Sequence, residues 1–304
     1  MERRVVEITE SNRFLTLNRG FLTVYDTSKA KTKMGKVALD DIAAVITTAH
    51  GLTFSNNIVI ELSKRSIPLV LCGSNFLPSA IVWPCEKHHL QAKRYSCQIR
   101  AKENLKKRLW KAIVKSKLTM QAQVLDHFEI KSARIRKLAT EVLSADKSNR
   151  EAVGAKYYWK NLFDKDFRRD REKDGINAFL NYGYTVLRAA TARAIIAAGL
   201  HPTLGLHHSN EGNAMQLVDD LMEPYRPAID KKVKELFEEG FNKLNRDVKQ
   251  ELVKVIYQPI GSTESGSLVV HSVNTLANSL AQIYMGERQE LLLPEALKNE
   301  ARSR

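Results

Sequence analysis

Between Gly199 and Pro227 the chain crowds together side chains that bind divalent metals: His207, His208, Asp219, Asp220 and Glu223. Asp220 and Glu223 stand three residues apart, so on a helix they share a face beside the loop that carries the histidines. Carboxylates mixed with imidazole suit Mn²⁺ better than Mg²⁺ on the nitrogen side, and the lack of cysteine in the set argues against structural zinc. Pro224 follows Glu223 directly and lacks the N–H that would reach the carbonyl of Asp220, so the helix is expected to bend or go locally unsatisfied there. The plainer alternative is an exposed acidic helix face next to a pair of loop histidines. These residues alone do not choose between His207 and His208.

A further acid, Glu151, opens the segment Asn149 to Trp159, whose small residues Ala152, Gly154 and Ala155 permit close approach by another element. An acid in a first helical turn also has a purely structural use, a favourable interaction with the helix dipole of about 0.3–1 kcal/mol. Nothing local connects Glu151 to the histidines. The elements that must hold these groups are mostly helical. From Asp174 to Gly199 runs a long helical pattern in which Gly183, costing about 1 kcal/mol relative to Ala, marks tight helix packing. Asn177 and Asn181, one turn apart in it, are placed to orient neighbouring polar groups. From Lys93 to Lys117 the bases Arg94, Arg100, Lys102, Lys106, Lys107, Arg108, Lys111 and Lys115 interleave with Leu105, Leu109, Trp110 and Ile113, which reads as one amphipathic helix with a basic outer face. More bases follow at Lys131, Arg134, Arg136, Lys137, Lys147 and Arg150.

Ahead of this helical region, short alternating or β-branched runs from Val5 to about Trp83 read as strands. Turn signals at Asn18-Arg-Gly20 and His50-Gly51 separate them. The run from Asn57 to Leu62 reads as a strand or a helix leading into a buried strand at Ile67 to Leu71. The expected fold is α+β: an N-terminal β-sandwich domain over 1–85, then a larger all-helical catalytic domain over 86–304. The chain has 304 residues, 43% hydrophobic and 7% aromatic, with 48 Lys+Arg against 34 Asp+Glu for a net charge of +14. That excess of base is the footprint of a polyanionic partner, nucleic acid above all. No stretch approaches the roughly 18 apolar residues of a membrane span. The three cysteines, Cys72, Cys85 and Cys97, fit neither a disulfide framework nor a CxxC zinc site, and the N-terminus has no apolar signal core, so a reducing cytoplasm is expected. The residues from Leu297 to Arg304 read as a frayed polar tail.

Together, Leu206-His-His-Ser-Asn, Asp220-Leu-Met-Glu-Pro-Tyr-Arg-Pro and Asn177-Ala-Phe-Leu-Asn-Tyr-Gly-Tyr resemble the universal integrase subunit of CRISPR adaptation, its type II branch most of all, over nearly the whole chain. Glu151 falls in that family's Glu-x-x-x-Ala-x-x-Tyr pattern, His208 in its Gly-x-x-His pattern, and Glu223 closes its Asp-Leu-x-Glu pattern. Many relatives carry Gly directly after the first Glu; here Ala152 takes that place, a small-for-small change.

The resemblance implies that Glu151, His208 and Glu223 are catalytic ligands of Mg²⁺ or Mn²⁺, with Asp220 an auxiliary acid, and that these side chains converge in one cleft of the helical domain. Arg226, one turn beyond Glu223, is placed to contact a phosphate or to pair with an acid such as Asp230. The resemblance further implies a homodimer, formed through the N-terminal domain. Such homodimers clamp a small ferredoxin-like CRISPR adaptation partner into a heterohexamer. The substrate implied is double-stranded DNA, both spacer precursor and CRISPR repeat. Its 3′-OH ends would attack a phosphodiester at the leader end of the array, in prokaryotic antiviral defence. Two other readings compete: a non-catalytic basic scaffold for DNA or RNA, and a generic structure-specific nuclease.

Overall fold

The structure is a computed structural model and describes residues 4–28, 31–73, 78–82, 84–85, 88–208, 210–261, 267–294 and 297. The chain divides into two compact units, Met1–Lys87 and His88–Arg304. The compositional boundary expected after residue 85 adjoins residues 86–87, which lie outside the described residues.

The first unit contains β1 (Arg4–Ile8), β2 (Arg13–Asn18), β3 (Phe21–Asp26), β4 (Thr32–Ala38), β5 (Ile42–Thr47), β6 (Leu52–Phe54), α1 (Asn56–Lys64), β7 (Leu69–Cys72) and β8 (Pro78–Val82). One sheet has the order β4-β3-β2-β6 and the other β1-β5-β7-β8. β2 and β3 form a hairpin through Arg19 and Gly20, both at positive φ (49° and 81°), the primed turn whose twist matches its flanking strands. β5 pairs in parallel with β1 and β7 and is buried along its length, which explains its unbroken run Ile42-Ala-Ala-Val-Ile. Leu15 and Leu22 of one sheet and Ile8, Ile42, Val45 and Leu69 of the other enter a single core. The segment after Ser55 is a helix, not a strand. Ile58 and Leu62, one turn apart, bury one face of α1 in that core and override the β-branched composition.

The second unit contains α2 (Gln91–Ile99), α3 (Glu103–His127), α4 (Ala133–Thr140), α5 (Arg150–Leu162), α6 (Ile176–Ala197), α7 (Gln216–Met222), α8 (Arg226–Glu238), α9 (Arg246–Lys254), β9 (Pro259–Ile260), β10 (Ser267–Leu268) and α10 (Val269–Tyr284). The mixed α+β class stands, but this unit is not all helical, because β9 and β10 pair antiparallel ahead of α10. Leu297, expected in a frayed tail, bridges Ile260 and donates its N–H to Gln123, 2.8 Å away. Residues 298–304 lie outside the described residues.

The basic helix expected from Lys93 to Lys117 is two helices. The break falls at Arg100 to Lys102, where extended Lys102 starts α3 and Glu103 supplies an acid to its first turn. Two long helices organise the unit. α3 packs against α4, α5 and α8, and α6 against α7, α8, α9 and α10. Glycine sets two of these contacts: a Cβ on Gly154 of α5 would stand 2.4 Å from the Leu118 side chain of α3, and one on Gly183 of α6 would stand 2.4 Å from Ile229 of α8. Ala152, by contrast, is exposed. Asn177 and Asn181 clamp the chain ahead of α6. Their carbonyl oxygens accept from the Arg169 guanidinium at 3.0 and 2.6 Å, and their amides donate to the backbone of Arg168 and Arg171.

Candidate metal centre

Glu151 is released from helix capping by another acid. Asn149 turns the chain in the left-handed region, and the Asp146 carboxylate accepts the N–H groups of Arg150 and Glu151 at 2.8 and 2.9 Å. The first-turn role that could have explained Glu151 is thus filled by Asp146. The Glu151 carboxylate turns to α3, where Lys117 Nζ lies 2.6 Å from its Oε1.

Glu223 reaches the same ammonium. α7 ends at Met222, Glu223 to Tyr225 form a 3₁₀ turn, and α8 follows, so the bend expected at Pro224 is a change of helix type. The carbonyl of Asp220, denied a donor by Pro224, accepts the N–H of Glu223 instead. The Glu223 side chain is 6% exposed. Arg226 Nε donates to its Oε1 at 2.7 Å, and its Oε2 lies 2.5 Å from Lys117 Nζ. The ammonium therefore holds Oε2 directly, as an ion pair at hydrogen-bonding distance. Burial opposes the charge on Glu223, yet Arg226 and Lys117 outweigh it and hold the carboxyl down at about 2. Burial likewise opposes the Lys117 charge, and Glu223 and Glu151 outweigh it, raising that pKa.

The two histidines diverge. His207 stacks flat on Trp110 of α3, with centroids 4.5 Å apart and planes 5° apart. His208 places Nδ1 2.5 Å from Oδ1 of Asp220. Its pKa is raised, by the Asp220 hydrogen bond first and, against burial, by the charges of Asp220, Glu223 and Glu151. The Asp220 contact and the charges of Glu223 and Glu151 therefore act together on His208.

Asp220 anchors this histidine and its loop. Completely buried, it accepts the backbone N–H of Leu206 at 2.6 Å and of His207 at 3.1 Å on Oδ2, and that of His208 at 3.4 Å on Oδ1. The loop comes this close only because residue 205 is glycine, where a Cβ would stand 2.8 Å from the His208 carbonyl oxygen and 3.0 Å from Asp220 Oδ2. The alternative of an exposed acidic face does not hold, since Asp220 and Glu223 are both buried. Asp219 belongs to a separate cluster, held by both arms of Arg188 at 2.8 and 2.9 Å and by Asn213 at 2.7 Å. Arg226 pairs with Glu223, not Asp230, and lies over the Tyr184 ring at 4.7 Å.

Among the described residues no group of three His, Cys, Asp or Glu side chains gathers at metal-ligand spacing. The structure brings Glu151 and Glu223 together on one ammonium, with the Asp220-bound His208 within electrostatic reach. The donors nonetheless fit a hard divalent cation by their chemistry: a buried ionised carboxylate, a second carboxylate from another helix, and an imidazole anchored through Nδ1 with Nε2 on its far side.

The sequence profile of the family described as CRISPR associated protein Cas1 matches residues 6–258. The chain belongs to the Cas1 family. It is similar to a CRISPR-associated endonuclease Cas1 of Neisseria meningitidis serogroup C (strain 8013), 35% identical over 93% of both chains. In fold it resembles a casposase bound to integration product, with a TM-score of 0.80 at 19% identity over 95% of this chain and 92% of that one. It also resembles part of a Cas6-RT-Cas1–Cas2 complex, with a TM-score of 0.76 at 16% identity over 98% of this chain and 36% of that one.

Lys117 is the residue of this Cas1 centre that sequence reasoning missed. It falls on the buried stripe of α3, between Ile113 and Val114 on one side and Met120 and Gln121 on the other, and a base on that stripe needs a buried partner. Asp230 and Tyr184 form a second buried layer, with the Tyr184 hydroxyl donating to the Asp230 carboxylate. Burial pushes the Asp230 carboxyl up to about 7 despite that bond. From pH 3.8 to about 7 the folded protein therefore holds a proton that the unfolded chain has lost, and folding stability falls as pH rises through this window. Asp230→Asn removes that slope, so thermal melts at pH 5 and pH 8 should differ less in the variant than in the parent. Equal pH dependence in both contradicts the assignment.

Proposed function

We propose that this Cas1-family protein is a divalent-metal-dependent DNA endonuclease and integrase that inserts foreign DNA fragments as spacers into a CRISPR array. The observation that carries the reading is the meeting of Glu151 and Glu223, from separate elements of the helical unit, on one buried cationic point beside His208. A divalent ion held by Glu151, His208 and Glu223, Mg²⁺ or Mn²⁺, would supply Lewis-acid stabilisation of the charge that develops on a phosphoryl oxygen. Glu223, ionised far below neutral pH, would offer it a charged carboxylate. Asp220 holds the His208 ring through Nδ1 and so commits Nε2 to the centre, and Arg226 steadies the Glu223 carboxylate. The attacking group is a DNA 3′-OH in strand joining and water in plain hydrolysis, and no covalent enzyme intermediate is required.

The long DNA is held by its backbone. Lys107, Arg108 and Lys115 of α3 and Lys131, Arg134 and Lys137 at α4 are exposed, and a surface of this kind binds phosphates without reading bases. No helix among the described residues is long and apolar enough to cross a membrane. The likeness to chains of a casposase bound to integration product and of a Cas1–Cas2 complex supports a joining reaction and a small Cas2-type partner. We place the protein as a homodimer, formed through the N-terminal unit, in a heterohexamer with that partner in the prokaryotic cytoplasm.

The test is joining of a labelled half-site DNA to a repeat duplex. With Mn²⁺ the protein should form a branched, joined product, and excess chelator should abolish it while leaving DNA retention unchanged. Cut but unjoined DNA would indicate a structure-specific nuclease. DNA bound but neither cut nor joined under any metal would indicate a scaffold.

A further inference from the structure

The ammonium at the heart of the centre belongs to the protein. Lys117 has an 11% exposed side chain, and its Nζ lies 2.6 Å from Glu151 Oε1 and 2.5 Å from Glu223 Oε2. The two acids come from elements far apart in sequence, α5 and the 3₁₀ turn after α7, and Lys117 ties both to α3. Its position leaves the charges balanced: two carboxylates face one ammonium and the Arg226 guanidinium. A divalent ion that took both carboxylates would need the oxygens Lys117 now holds, and like charges a few ångströms apart at low dielectric repel strongly.

We propose that Lys117 is a resident cation that assembles Glu151 and Glu223 in the metal-free protein and competes with the divalent ion for them, so that metal loading is an exchange that displaces the ammonium from Glu223 Oε2. This rests on the metal-centre reading above. The two roles have opposite signs. Removing the charge frees two carboxylates for the metal and strengthens its binding, while it leaves those carboxylates unneutralised in the metal-free protein and weakens that state. A lysine that only braced the fold would weaken both.

The experiment uses the full-length protein and Mn²⁺ itself. Lys117→Met keeps most of the stem and loses the charge. Calorimetric titration should show Mn²⁺ bound about tenfold more tightly or better than by the parent, and the melting temperature should be lower than the parent's in chelator and rise further on adding Mn²⁺. Unchanged or weaker Mn²⁺ binding by the folded variant overturns the proposal. Should Lys117→Met fail to fold, the parent supplies the second measurement, amine acetylation read residue by residue by mass spectrometry. Lys117 should become several-fold more reactive with Mn²⁺ than with chelator while the surface lysines do not change, and equal or lower reactivity refutes the exchange. A parent that binds no Mn²⁺ overturns the metal centre as well, whereas a parent that binds it alongside a Lys117→Met that binds no better overturns only the role of Lys117.

Discussion

Glu223→Gln should abolish Mn²⁺-dependent strand joining, lowering its rate by at least about a hundredfold, the scale on which single electrostatic contributors to a transition state act. The substitution keeps the volume and an oxygen that accepts from Arg226 Nε, so what it removes is the charge. That charge matters because of where it sits. The carboxyl is held down at about 2 in a buried place, between the Arg226 guanidinium on Oε1 and the Lys117 ammonium on Oε2. Breaking a buried ion pair costs about 3–5 kcal/mol when a charge is left alone; Lys117 keeps Glu151 but Arg226 loses its carboxylate partner, so the variant should fold with a clearly lowered melting temperature. Binding of duplex DNA, measured by fluorescence anisotropy at fixed salt, should stay within about twofold of the parent, since phosphate contacts lie with the exposed bases. Glu223→Ala should show the same loss of joining with a larger loss of stability. Joining at the parental rate by a folded Glu223→Gln would remove Glu223 from the reaction.

How far the centre was legible depends on how local each signal is. The break at Pro224 is a property of one residue and its carbonyl partner, and it stands where the sequence put it. Strand β5 was legible for a similar reason, because a strand paired on both sides needs an unbroken apolar run. Residues 58–60, Ile-Val-Ile, were not, since a β-branched triplet folds as helix once Ile58 and Leu62 find a shared core. Glu151 carried no local sign of function at all. Its role depends on Asp146 taking over the cap and on Gly154 letting α5 close on α3, and both are facts of packing. Lys117 was hidden by its neighbours, a buried base on a helix that also carries exposed Lys107, Arg108 and Lys115, and only its phase along the helix separates it from them. The partners of Asp220 were hidden for a third reason. Spacing puts it on the face of Glu223, but a carboxylate is used where donors converge, and its donors lie in a loop more than ten residues earlier.

That last point carries the second large effect. Asp220→Asn should weaken Mn²⁺ binding by about 10–100-fold, the loss usual when the partner that orients a metal-binding histidine is changed, and should destabilise the fold by about 1–3 kcal/mol. The amide cannot satisfy this site in either orientation. With its NH₂ at the Oδ2 position it faces the N–H groups of Leu206 and His207, donor against donor, and the loop loses its anchor. With its NH₂ at the Oδ1 position it forces His208 to accept on Nδ1, which moves the ring proton to Nε2, the nitrogen a metal would need. Asp219→Asn is the matched control: next in sequence and equally acidic, it is bound to Arg188 and Asn213, and its loss should lower the melting temperature while Mn²⁺ affinity holds. Calorimetric titration of both variants separates the two acids. Mn²⁺ binding by Asp220→Asn equal to that of Asp219→Asn would mean that His208 does not depend on Asp220 for its orientation, and the centre would have to be rebuilt without that histidine.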